Sequence, residues 1–212
     1  MLNQVQIQAN KEKFVNLVNE ASQLNPSKAN GLKKLLSYLE TTDFFEAPAS
    51  TTHHQSYKGG LCEHSVSVFD HLERLVKAYE IPETEISRYS MIIVALFHDL
   101  CKIGKYEITY KTLPRKDEKG LEIRDENGKL IWENREQYTY VNDYLSVGHG
   151  SASIILIQHF IILSNQEAEA IFNHMGPYDL GDYHTKKDVS VAFGHNKLAY
   201  FLFLSDMSDV YL

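Results

Sequence analysis

Six residues of this chain have the types and the order to do metal chemistry: His64, the contiguous His98 and Asp99, His149, His174 and Asp206. Neutral imidazoles with a carboxylate able to bridge are what a site for one or two divalent ions requires. The His98-Asp99 pair sits in ALFHDLCKIGK, where an apolar run ends in two groups that are costly to bury without a partner. A metal ion would supply that partner. Asp206 poses the same problem inside AYFLFLSDM, and His149 lies between Gly148 and Gly150, which let backbone approach closely. Singly, each histidine could be a hydrogen-bonded core residue, the His-Asp pair an ion pair, and Asp206 a helix cap. Six such positions in this order are hard to explain as six accidents.

Helices must position them. Phe14, Leu17, Val18, Ala21 and Leu24 recur at helical spacing, as do Leu32, Leu35, Leu36 and Leu39, with Asn25-Pro26 between the two runs. Residues 41–60, with Pro48 and Gly59-Gly60, read as an ordered loop. A long helix is predicted from Leu61 to about Glu80, carrying His64 one turn in on its apolar face, and Ile81-Pro82 breaks it. MIIVALF is apolar nearly all round and therefore a central helix. Helical pattern resumes at Ser151, runs through ILIQHFIIL, and restarts at Ser164 with Glu167 three residues on as a capping box. Gly176-Pro177 ends that helix just after His174, and a last helix from about Asn196 to Val210 carries Asp206. His195 is expected three turns from Asp206, too far to bind the same ion.

The character changes from Tyr106 to about Asp143, where charges of both signs mingle with short β-type runs. Asn127-Gly128, between LEIR and KLIW, predicts a two-residue hairpin turn with both residues at positive φ. Segment 106–143 is therefore expected to be a β-hairpin insertion, with Glu107 to Tyr110 and Tyr138 to Val141 as further strands. The expected fold class is all-α, one domain over 1–212. Residues 1–46 form N-terminal helices, and 47–105 with 144–212 form the metal-binding helical core.

Composition narrows the function. Hydrophobic content of 43%, with 13 Tyr and 10 Phe, is that of a globular chain. The longest mostly apolar stretch, Ile154 to Leu163, is about half the length needed to cross a bilayer. The N-terminus lacks a basic region followed by an apolar core, and Cys62 and Cys101 cannot build a disulfide framework, so a reducing cytoplasm is expected. A net charge of −7 excludes coating an extended nucleic-acid duplex through the general field. Phosphate would have to be met by metal ions and a few lysines, which favours a small substrate or a single-strand end.

The run APASTTHHQSYKGGLCEHSVSVF followed by ALFHDLCKIGKY resembles the HD-domain metal-dependent phosphohydrolase superfamily. It is most similar to the HD domain of bacterial 3′–5′ exoribonucleases, over about Ala47 to Asp206. The resemblance implies an HD-domain helical bundle in which His64, His98, Asp99 and Asp206 hold one ion. In members with two ions, His149 and His174 join and Asp99 bridges. Cys101 stands where the family motif usually has glycine. Lys102 matches the motif lysine and is expected to neutralise a phosphoryl oxygen, alongside Asp99 as catalytic residue. His53 and His54, on the loop before the glycine pair, are expected at the site mouth to contact substrate or donate a proton.

The implied activity is a phosphodiesterase or phosphatase acting on a nucleotide or single-stranded nucleic-acid end. One or two divalent ions (Mn, Fe, Ni, Zn or Mg) would lower the pKa of a water and generate hydroxide near neutral pH. Two alternatives stay open: a diiron oxygenase of the HD type, which holds iron with four histidines and two aspartates, and a non-catalytic HD scaffold that binds a nucleotide.

Overall fold

The computed structural model describes residues 2–52, 54–141, 147–179 and 183–212. The chain is mostly helical with one small antiparallel sheet. Helix α1 (Gln4–Leu24) starts at Asn3, which closes a capping box with Gln6. A 3₁₀ turn, Pro26–Lys28, leads into α2 (Ala29–Glu40). The two bury Phe14, Leu17, Val18 and Ala21, and Leu32, Leu35 and Leu39, the apolar stripes that the spacing predicts.

Helices α3 (Gly60–Ala78) and α4 (Arg88–Phe97) follow. Every residue from Ser90 to Phe97 is buried, so α4 is the central rod, packed by α1, α3 and α6. Arg88 at its start bonds Glu20 of α1 and Glu73 of α3, and Ser90 donates to the buried carboxylate of Glu167 at 2.8 Å. Its far end is held by aromatic rings: Phe97 meets Phe14, which also packs on Phe44 and Phe45.

Helix α5 (His149–Gln158) ends earlier than the ILIQHFIIL pattern suggests. Ile161 and Leu163 are buried and Ile162 is exposed, an alternation that an extended chain supplies and a helix does not. Gly31 of α2 packs against this segment; a Cβ there would lie 2.2 Å from the Phe160 carbonyl oxygen. Helix α6 (Asn165–Phe172) opens with the Ser164–Glu167 capping box. Helix α7 (Tyr183–His195), which the apolar spacing does not announce, precedes α8 (Lys197–Tyr211), capped by Asn196. His195 thus closes α7 instead of sharing a helix with Asp206, and bonds surface Glu169 at 2.9 Å. Helix α8 packs on α3, α4, α6 and α7, and α3 on α4, so the elements carrying His64, His98 and Asp206 surround one point.

The hairpin is built from strands β1 (Tyr106–Pro114) and β2 (Trp132–Tyr140), paired from Tyr106↔Tyr140 to Pro114↔Trp132. Apart from Trp132, which opens β2, LEIR and KLIW contribute only to the isolated bridges Lys116↔Glu122 and Arg124↔Leu130. The Asn-Gly turn also differs from expectation: Gly128 takes φ 78°, but Asn127 is not at positive φ. Asp125 explains this. Its side chain accepts from the Asn127 and Lys129 amides, both at 2.9 Å, and holds a three-residue loop with glycine at the left-handed position.

The strands pair with each other and make at most marginal contact with any helix. Replacing residues 108–138 by a short turn, keeping Tyr106 and Tyr140 at the root, is therefore expected to change stability by less than about 1 kcal/mol. Thermal denaturation checks this; a collapse of the melting transition would mean that the hairpin supports the helical core.

Candidate metal centre

Five of the sequence-predicted donors converge. His64 Nε2, His98 Nε2 and an Asp206 oxygen all lie within 4.8 Å of one another, and His98, Asp99 and His174 form a second such group. All five residues are buried.

Each is placed by a local device. His64 sits on the second turn of α3, whose start is fixed by Gly59 at φ 82° and by Gly60, where a Cβ would be 2.1 Å from the Gln55 carbonyl oxygen. His98 caps the C-terminus of α4. Successive helical residues diverge by about 100°, so His98 and Asp99 face one cavity only because the chain leaves the helix at Asp99 (φ −111°, ψ 20°). The 3₁₀ turn that follows, Leu100–Lys102, returns Lys102 Nζ to within 2.7 Å of Asp99 Oδ2. His174 follows α6, and Asp206 lies on the buried face of α8.

The three imidazoles are oriented alike. His64 Nδ1 donates to Asp209 Oδ2 at 2.6 Å, His98 Nδ1 to the Ala95 carbonyl at 2.9 Å, and His174 Nδ1 to the Ile171 carbonyl at 2.6 Å. Carboxylate and carbonyl only accept, so Nδ1 carries the proton in each ring and Nε2 is the donor atom turned inward. His64 Nε2 lies 3.2 Å from His98 Nε2, 3.2 Å from Asp206 Oδ1 and 3.5 Å from Asp99 Oδ2. His174 Nε2 lies 3.5 Å from Asp99 Oδ1, and both atoms are buried without a hydrogen bond. Asp99 is the hinge of the cluster: Oδ2 faces His64, His98 and Lys102, while Oδ1 faces His174.

The electrostatics are those of a cation site. Burial opposes protonation of His64, but Asp206, Asp209 and Asp99 outweigh it and hold its pKa well above the usual imidazole value. His174 is also raised, burial being overcome by Asp99. At His98 burial, with the charges of His174 and His64, outweighs the pull of Asp99 and pushes the pKa down to about 4. Asp99 and Asp206 stay ionised despite burial, the first through Lys102 and His98, the second through His64. Lys102 keeps its charge because Asp99 outweighs the cost of burial. A proton on His64 satisfies part of this cluster, yet the His174 and Asp99 atoms stay orphaned; a divalent ion fits them. Metal–nitrogen bonds of about 2.0–2.1 Å put neighbouring ligands roughly 3.0–3.4 Å apart, close to the separation of the two Nε2 atoms.

Two predicted residues stand elsewhere or beyond view. His149, half-buried at the start of α5, belongs to neither donor group; its Nδ1 lies 3.6 Å from Cys101 Sγ. His53 lies outside the described residues. His54 does reach the site: its ring centre is 5.1 Å from that of His64, and both ring nitrogens are buried with no hydrogen bond. Burial, with the charges of His64 and Lys102, pushes its pKa down to about 4.

Asp209 was not legible as a functional residue. It stands one helical turn beyond Asp206, and the paired SDMSD spacing is the only trace it leaves in the sequence. Its carboxylate, held near pKa 2 against burial chiefly by His64, also accepts from Gln55 Nε2 at 2.8 Å and so ties the loop before α3 to the site. A carboxylate that orients a ligating imidazole commonly sustains metal affinity by about 10–100-fold. Asp209→Asn should weaken manganese binding by that factor, read by competition with a chelating dye, while circular dichroism stays unchanged. Unaltered affinity would show that His64 needs no such support.

No helix among the described residues is long and apolar enough to cross a membrane. No family model, curated protein or solved structure matches the chain.

Proposed function

We propose that this chain is a metal-dependent phosphohydrolase of the HD type, cleaving a phosphate ester of a nucleotide or a single-strand end at the His64, His98, Asp99, His174 and Asp206 cluster. One observation carries this: three buried imidazoles each spend Nδ1 on a fixed acceptor and turn Nε2 toward Asp99, those of His64 and His98 toward Asp206 as well. The order of these residues along the chain, matching the HD motifs, adds support.

A divalent ion bound there supplies Lewis acidity toward a phosphoryl oxygen and lowers the pKa of an attacking water. The remaining work falls to side chains. Asp99 divides its two oxygens between the donor groups and fixes their separation. Lys102, half-buried and charged, adds a positive group on the cavity wall for a second phosphoryl oxygen. His54, neutral at pH 7, offers an uncommitted N–H to an ester oxygen. Asp209 and the Ala95 and Ile171 carbonyls keep the three rings from turning.

The test begins with metal analysis of protein purified without added metal, followed by hydrolysis of bis(4-nitrophenyl) phosphate with manganese. Release of nitrophenolate that stops on chelation is the expected result. No release with Mn, Fe, Ni, Zn or Mg, accompanied by iron-dependent oxygen uptake, would replace hydrolysis with oxygenase chemistry.

A further inference from the structure

The cluster opens into a cavity of about 540 Å³ with two unlike poles. Asp99, Asp206, Lys102 and His54 form the reacting pole, where His54 leaves both ring nitrogens unpaired. The rest of the lining is Met175, Met207, Val210 and Tyr211, with no charged group among them. Helix α8 links the poles: Val210 stands one turn beyond Asp206, and Tyr211 one turn beyond Met207. One turn rises about 5.4 Å, roughly the reach from a phosphorus atom to a ring attached through its ester oxygen.

From this we propose that the site selects esters with a single phosphoryl group whose organic part is apolar or a flat ring, seated against Met207 and Val210. The inference rests on the phosphohydrolase reading and names its substrate class. Lys102 is the only lysine or arginine among the described residues that line the cavity, so the described lining offers a polyphosphate chain no second fixed positive charge. A sugar phosphate that carries no base would place only hydroxyls against methionine and valine, leaving them without partners. The volume is that of an ordinary small-ligand pocket. A base contacted only through its face would be gripped without being identified.

The test separates this from catalysis by measuring binding of phosphonates, which are not hydrolysed. Calorimetry on manganese-loaded protein compares phenylphosphonate with methylphosphonate and 2-hydroxyethylphosphonate. The phenyl compound should bind roughly tenfold to a hundredfold more tightly, the range that apolar pocket contacts deliver. Met207→Ala and Val210→Ala should each cut that advantage severalfold. Val210→Thr, which keeps the shape, should also reduce it and guards against misfolding, with thermal melts as control. Equal affinities in the wild type, a preference that survives all three substitutions, or no binding at all would overturn the proposal. A phenyl preference in a protein that hydrolyses no ester would uphold the apolar wall and sink the hydrolase instead. Hydrolysis without any preference would do the reverse.

Discussion

Asp99→Asn is expected to cut manganese-dependent hydrolysis of bis(4-nitrophenyl) phosphate by about a thousandfold or more, because the several kcal/mol of charge stabilisation supplied by a bound ion is lost with it. Asp99 is the carboxylate that joins the two donor groups. Its two oxygens face His64, His98, Lys102 and His174, and it is buried. Asparagine keeps the shape, and its amide oxygen can still accept from Lys102. The chain should therefore fold while losing the charge and the second donor oxygen. Bound metal, measured after dialysis, should fall in parallel with activity. Retention of both would mean that Asp99 is only a structural partner of Lys102.

Phe14→Ala should be the most damaging core substitution, at about 3–5 kcal/mol, the usual cost of deleting a buried phenyl ring. Phe14 is fully buried, with ring centres of Phe44, Phe45 and Phe97 at 5.0, 5.5 and 5.9 Å. Those neighbours come from distant parts of the chain, and none can refill the space without moving α4. For a chain of this size the melting temperature should drop by about 10 °C. Phe97 immediately precedes His98, so the same cavity loosens the end of α4 that delivers the His-Asp pair. Urea denaturation measures the loss; a change below about 1 kcal/mol would show that the cluster collapses freely.

The mostly helical class, the first four helices, the α6 capping box and the existence of the hairpin could be read from residues alone. Each rests on local periodicity or on a cap within a few positions. Errors arose where the deciding partner was remote or concealed. The end of α5 depends on which of Ile161, Ile162 and Leu163 meet the core. The hairpin turn depends on Asp125 outcompeting the Asn-Gly preference. Helix α7 carries no clean apolar stripe to announce it.

Donor identities and their order belong to the sequence by itself, since buried histidine and aspartate inside apolar runs demand a partner wherever they fold. Which donors share that partner was a tertiary decision. His174 and Asp206 came in while His149 went to Cys101, and Asp209 entered from one helical turn away. Periodicity states which face of a helix is buried; only the packing of α3, α4, α6 and α8 decides which atoms meet there, because a shift of an ångström or two between helices breaks or makes a ligand sphere.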